Sequence, residues 1–145
     1  MGKFKNEKGD NVLLMYGSEE INDALNVAAI TTLLDTYVDK DGTVLPALFD
    51  DMVIPADIAE EAKTINFYKS ATADLCQPVE IYTYTINCRA KLKEEAETIL
   101  KAVADEINRN NYSGYFITCQ ALPTVPPQNE QDNYNAILEI RIKMK

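Results

Sequence analysis

The fold of this chain is decided by residues 79–90, which read VEIYTYTINCRA. Successive side chains of a strand point to opposite faces. One face of this strand therefore receives Tyr82, Tyr84, Ile86 and Cys88, and the other receives Ile81, Thr83, Thr85 and Asn87. Both faces carry β-branched or aromatic residues, which is typical of a strand that is covered on both sides. We therefore expect this strand at the centre of its sheet, or with its outer face covered by another subunit.

Three further strands are predicted around the central one. Ile65 and Phe67 alternate with other residues between Lys63 and Lys69, before the central strand. Residues 115–121 form the third strand, and a long last strand begins at Tyr134. The apolar face of that last strand holds Tyr134, Ala136, Leu138, Ile140, Ile142 and Met144. Its other face is mostly polar, so we expect that face to meet water or a partner.

Two helices complete the pattern. The clearer one is amphipathic, and its apolar residues are Leu92, Ala96, Ile99, Leu100, Val103 and Ile107. The other begins at Ser18, which is a good cap, and is expected to run to a turn at residues 39–42. The order α-β-β-α-β-β predicts an α+β fold with two main helices on one face of a mainly antiparallel four-stranded sheet.

The sequence divides into an arm and a domain. Residues 1–17 are predicted to be a flexible N-terminal arm, because residues 1–11 are almost entirely polar or charged. The apolar patch Val12 to Tyr16 either lies on the domain's own surface or docks onto a neighbouring subunit. Residues 18–145 are predicted to form one α+β domain with a long excursion at 39–62, which follows no single period and is expected to contain about one turn of helix.

The excursion and the outer face of the central strand are the candidate subunit or partner interface. They carry apolar and β-branched side chains that need cover, which favours an interaction protein that forms a homo-oligomer. The candidate interface residues are Leu45, Leu48, Phe49, Val53, Ile54, Ile81, Thr83 and Thr85.

Composition excludes several kinds of chemistry. The 145-residue chain has no histidine, so Ser-His-Asp and Cys-His catalysis are impossible within it and the commonest transition-metal ligand is missing. The cysteines Cys76, Cys88 and Cys119 form no Cys-x-x-Cys pair, and we expect them to be reduced. Cys88, beside Arg89, is the only candidate nucleophile, and a small histidine-free enzyme is the least favoured hypothesis. No catalytic, cofactor-binding or metal-binding residue is predicted, and no segment is apolar enough to cross a membrane.

Charge is concentrated in one part of the sequence. The net charge is −9, but residues 19–61 contain eleven acidic residues and one base, Lys40, so this segment carries −10 and the remainder sums to +1. This balance argues against sequence-independent DNA binding, which depends on Lys and Arg. An acidic DNA mimic that inhibits a basic host protein is therefore an alternative function. Asp39 and Asp41 are similar to the start of a calcium loop, but Gly42 comes too early for an EF-hand.

Particular stretches resemble the tail terminator, or tail-completion, proteins of long-tailed bacteriophages. Residues 64–68 (TINFY) and 84–90 (YTINCRA) resemble the first two strands of that family. The helix that ends at Asn108-Arg109, the proline-containing loop at 122–127 and residues 132–135 (DNYN), which lead into the last strand, resemble its second half. The resemblance covers residues 19–145. It rests on the order of the elements and on the kinds of residues in them, since the family has no catalytic signature.

The resemblance implies a structural role. Proteins of this family form a ring, commonly a hexamer, that caps the tail tube, stops its polymerisation and joins it to the head. The implied partners are other copies of the chain, the tail-tube protein and a head-completion or connector protein, with DNA only as passing cargo. The implied location is the neck or tail of a virion assembled in the cytoplasm of a bacterial host.

The resemblance also suggests where the acidic segment at residues 19–61 lies in the assembly. We predict that part of it faces either a DNA-conducting lumen, where repulsion keeps DNA from sticking, or a basic partner. The candidate residues are Asp39, Asp41, Asp50, Asp51, Asp57, Glu60 and Glu61.

Overall fold

The structure is a computed structural model, and it describes residues 18–59, 61–71, 81–109, 115–127 and 133–144. The predicted arm at 1–17 lies outside the described residues. The helices are α1 (Ser18–Leu25), α2 (Ala28–Thr31) and α3 (Lys93–Arg109). The strands are β1 (Thr36–Val38), β2 (Val44–Pro46), β3 (Leu48–Asp50), β4 (Thr64–Ala71), β5 (Ile81–Ala90), β6 (Tyr115–Ala121) and β7 (Tyr134–Met144).

The predicted α+β class is confirmed, but the predicted four-stranded sheet is wrong. The main sheet has five strands in the order β3-β4-β5-β7-β6, and β1 and β2 form a separate two-stranded sheet. All neighbours in the main sheet are antiparallel except β3 and β4, which are parallel. The fifth strand, β3, has three residues from within the excursion. So short a strand shows no alternation in the sequence, and it exists because β4 offers it a backbone to pair with.

Strand β5 occupies the centre of the sheet, as predicted. It is ten residues long and pairs with β4 on one side and β7 on the other. Its buried face packs into a core shared with the helices, so the described helices cover one face of the sheet. The fully buried large side chains of this core include Ile21, Leu25, Ile65, Phe67, Tyr84, Ile86, Ile99, Ile107 and Ile140.

The first predicted helix is much shorter than expected. Instead of continuing to residue 39, it breaks after α1, where Val27 adopts an extended backbone with φ −126° and ψ 154°. Helix α2 then ends at Thr31, and Thr32 Oγ1 donates a hydrogen bond back to the Ala28 carbonyl at 2.7 Å. The segment is rich in β-branched residues, which lose side-chain freedom in a helix. Tyr37, which falls inside the predicted helix, lies in β1.

The described part of the excursion contains a hairpin and a strand rather than the predicted turn of helix. The hairpin joins β1 to β2, and Asp39 Oδ1 accepts hydrogen bonds from the backbone N–H groups of Asp41 and Thr43, each at 2.9 Å. Gly42 closes the turn with φ +81°, a left-handed conformation that favours glycine. The Asp-Lys-Asp-Gly sequence therefore has a structural explanation as a turn that uses one carboxylate as its acceptor.

The sheet core gives a direct stability prediction. Ile140 is fully buried opposite Tyr84, so Ile140→Ala leaves a cavity and should lower the free energy of unfolding by about 2–5 kcal/mol. Val53 is exposed in a loop, and Val53→Ala should change it by no more than about 0.5 kcal/mol. Urea unfolding of both variants checks the assignment, and equal losses would contradict the buried position of Ile140.

Candidate interaction surface

The face of the main sheet opposite the helices is the candidate interaction surface, here called the outer face. The register brings the outward residues of four strands together across this face. They are Thr64, Asn66 and Tyr68 of β4, Thr83, Thr85, Asn87 and Arg89 of β5, Asn135, Ile137, Glu139 and Arg141 of β7, and Thr118 and Gln120 of β6. Polar groups dominate it, so this face is suited to contact with water or with a polar partner surface.

Three asparagines form a hydrogen-bonded ladder across the centre of the outer face. Asn87 Nδ2 donates to Asn66 Oδ1 at 3.1 Å and to Asn135 Oδ1 at 3.0 Å, which joins β4, β5 and β7 through side chains. Asn66 is buried, with only 3% of its surface exposed. A buried amide must be paired or it costs free energy, and this ladder meets most of that need. The buried Asn87 Oδ1 atom has no hydrogen-bond partner among the described residues.

The ladder also anchors a loop over one end of the outer face. Asn66 Nδ2 donates to the backbone carbonyls of Asp51 and Met52, at 3.1 and 3.3 Å. Farther along the loop, the Arg89 guanidinium donates to the Ala59 carbonyl at 3.2 Å. These bonds hold residues 51–59 against β4 and β5, so the excursion is fastened to the sheet at both ends of this segment.

A second loop lies on the β7 side of the ladder. Val125 and Asn135 exchange backbone hydrogen bonds of 2.9 and 3.0 Å. Between the two loops is a shallow groove of about 220 Å³. It is lined by Met52, Asn66, Tyr68, Thr85, Asn87, Val125, Asn135 and Ile137. This groove, here called the amide groove, combines apolar walls with an amide floor that carries an unused acceptor.

The structure divides the candidate interface residues into two groups. Leu48 packs against the core, and Phe49 is buried with its ring centroid 5.1 Å from that of Tyr37, so both stabilise the subunit itself. Leu45 and Ile54 are half-buried, and the Ile81 side chain lies outside the described residues. Val53 is 72% exposed, and Thr83 and Thr85 are half-buried on the outer face.

Sequence reasoning missed several residues of this surface. Met52, which is 68% exposed, and Val125 stand at the rim of the amide groove, and the asparagine ladder forms its floor. The asparagines had a signal in the sequence, because Asn66, Asn87 and Asn135 all fall at outward positions of the predicted strands. Exposure of Met52 and Val125 depends on how two loops fold over the sheet, and no local pattern reports it.

The candidate acidic residues fall into three groups along the excursion. Asp39 and Asp41 lie in the hairpin turn, and Asp50 and Asp51 lie at the end of β3. Asp57 and Glu61 line, together with Asp35, a groove of about 490 Å³ beside β1. Glu60 lies outside the described residues. Asp41, Asp50, Asp51, Asp57 and Glu61 are exposed. Their proposed orientation towards a lumen or partner stays a prediction.

The structure gives little support to catalysis by Cys88. The thiol is fully buried on the core face of β5, and this burial raises its pKa far above the usual range, which is opposite to what a nucleophile needs. Arg89 points to the outer face, where it bonds Ala59. Burial also raises the pKa of the Cys119 thiol. Among the described residues, no three acidic or cysteine side chains converge as a metal site requires.

The fold is shared with a protein of known structural context. The chain is similar to a chain in the virion of a native gene transfer agent particle. The two are 18% identical and superpose with a TM-score of 0.53, over 86% of this chain and 90% of the other. At this identity the likeness shows a common fold. No protein-family model and no curated protein matches the sequence. No helix in the described part of the chain has the length and hydropathy needed to cross a bilayer.

The asparagine ladder predicts a stability effect that is coupled to one loop. Asn66→Ala removes the donor to Asp51 and Met52 and an acceptor of Asn87, so the free energy of unfolding should fall by about 1–3 kcal/mol. Proteolytic cleavage within residues 51–59 should become faster. Thr85→Ala, a neighbouring outward position, should change stability by only about 0.5 kcal/mol. A loop no more sensitive to protease in Asn66→Ala than in Thr85→Ala would show that the ladder does not hold it.

Proposed function

We propose that this protein is a structural subunit of a phage-like virion that acts as a tail terminator. It forms a homo-oligomeric ring, a hexamer, that caps the tail tube, stops its polymerisation and joins it to the head. Its partners are the tail-tube protein and a head-completion or connector protein. It carries out no reaction and acts at the neck of the particle.

The observation that carries this proposal is the shared fold with a gene transfer agent virion chain. The likeness extends over 86% of this chain and 90% of the other, so it is a likeness of nearly whole proteins rather than of one motif. The fold likeness supports a structural protein of a virion, and the sequence resemblance is what suggests the terminator role.

The surface of the subunit supports assembly as its task. The outer face lacks a helical cover in the described residues, and exposed Met52 lines its amide groove and is followed in the chain by exposed Val53. An amide floor with a spare acceptor suits a protein partner, because backbone and side-chain donors can pair with it. The buried Cys88 thiol, by contrast, offers substrates no access.

The acidic groups of the excursion fit the same proposal. If they line the ring's channel, they keep passing DNA from binding to the wall by repulsion between carboxylates and phosphates. If they face outward, they fit a basic surface on the tube or the head.

Two assays test this function. Native mass spectrometry of the full chain should show a closed oligomer, with six copies expected. Tail-tube protein from the same particle, polymerised with the chain present, should give tubes of limited length with density at one end in electron micrographs. Tubes of unchanged length and without end density would contradict a terminator. Salt-sensitive binding to a basic host protein by a monomeric chain would instead favour the acidic inhibitor.

The outer face can be tested within the same assay. Val53→Asp adds a charge at an exposed apolar position next to Met52, which lines the amide groove. The dissociation constant of the oligomer should rise at least about tenfold, which corresponds to about 1.4 kcal/mol. Leu92→Asp is the matched control, because Leu92 is also exposed but lies beside the start of α3. Equal assembly by the two variants would remove the outer face from the interface while leaving the terminator function standing.

A further inference from the structure

The two edges of the main sheet are very different. Strand β3 forms one edge, and it has three residues, ends at Asp50 and is followed at once by Asp51. Strand β6 forms the other edge, with the seven-residue sequence YFITCQA. That sequence contains no charged residue, no proline and no glycine. Natural proteins protect sheet edges with short strands, charges or proline, so β3 is protected and β6 is not.

In the described part of the chain, β6 pairs with β7 alone. The backbone groups on its other side therefore form a row of donors and acceptors that suits one more strand. Ile117 and Cys119 on its core face are only half-buried although they pack against the core, while Thr118 and Gln120 are exposed. An added strand would complete both the hydrogen-bond ladder and the apolar cover of Ile117 and Cys119.

We propose that residues Val12–Tyr16 of a second copy of this chain add to the β6 edge as a strand. The segment reads VLLMY and is the one apolar run of residues 1–17, set between a polar stretch and Gly17. Five residues in strand geometry span about 17 Å, which fits on a seven-residue edge. Alternation places Val12, Leu14 and Tyr16 together on one face, where they extend the apolar surface beside Ile117 and Cys119.

A second copy is favoured over the segment's own subunit by where α1 sits. Helix α1 begins at Ser18 and contacts β3 and α3. Strand β3 lies four strand spacings from β6, which is about 19 Å. Only Gly17 separates Tyr16 from α1, so the segment has little free chain with which to cross its own sheet. Docking onto the next subunit removes this limit.

This inference rests on the proposed ring and names the contact that builds it. The segment of one subunit on the edge of the next is a heterologous contact, in which each subunit presents two different surfaces. Such contacts repeat from one subunit to the next, and they form a closed ring when the rotation between neighbouring subunits divides a full turn evenly.

Charge substitutions on the full chain test whether the segment of one copy adds to the β6 edge of the next. Thr118→Lys places a cation on the edge strand, and Leu14→Lys places one in the segment, so each should weaken self-association by at least about tenfold in sedimentation velocity. The matched controls are Thr36→Lys, an exposed threonine of β1, and Asn6→Lys in the polar stretch. If Leu14→Lys and Asn6→Lys self-associate equally well, the segment does not add to the β6 edge, but the proposed ring stands. A wild-type chain that stays monomeric at all concentrations overturns both.

Cross-linking distinguishes a second copy from the segment's own subunit. A Leu13→Cys chain, whose side chain alternation places on the same face as Thr118, is mixed with a Thr118→Cys chain, both also carrying Cys76→Ser and Cys119→Ser, and treated with a short bis-maleimide. Covalent heterodimers should form, and Asn6→Cys in place of Leu13→Cys should give far fewer. If the two cysteines in one chain instead link only within the monomer at high dilution, and no heterodimer forms in the mixture, the segment occupies its own edge and the proposal fails.

Discussion

The pairing of β5 with β4 on one side and β7 on the other is the constraint on which the rest of the structure depends. Side chains alternate with a period of two, so a slip of one residue would exchange the buried and outward faces of the whole strand. The observed register aligns Tyr84 with Ile140 and Ile86 with Leu138, both apolar pairs on the core face. The same register aligns Ile86 with Phe67 of β4. One choice of register therefore determines which face the helices cover.

The outer face follows from the same register. Once the apolar residues of β4, β5 and β7 meet the helices, Asn66, Asn87 and Asn135 are brought within hydrogen-bonding distance on the opposite side. The Nδ2 group of Asn87 donates within the ladder, and the Nδ2 group of Asn66 donates to the carbonyls of Asp51 and Met52 in the 51–59 loop. The amide groove is thus a consequence of core packing: outward side chains hold the 51–59 loop on one side of it, and backbone bonds between Val125 and Asn135 hold the loop on the other.

The sequence predicted the parts of this fold whose pattern is long enough to repeat. Strands β5 and β7 and helix α3 have 10, 11 and 17 residues, so several periods are visible in each. Strand β3 has three residues and depends on β4, and the break after α1 depends on an extended Val27, which apolar spacing does not reveal. Part of the candidate surface was visible as outward Thr83 and Thr85, whereas Met52 and Val125 join it only through the tertiary placement of their loops.

A ring constrains the subunit more than a dimer does. A two-fold dimer uses the same patch on both partners, so the open β6 edge paired with another β6 edge would satisfy the backbone and end assembly at two copies. A ring needs two complementary surfaces that lie apart on each subunit. In the proposed ring the β6 edge is one of these surfaces, and the sheet's other edge is too short and too acidic to complement it, since β3 has three residues before Asp51. In the proposed ring the complement must therefore come from elsewhere in the chain, and the uncharged segment that precedes α1 in the sequence is the proposed source.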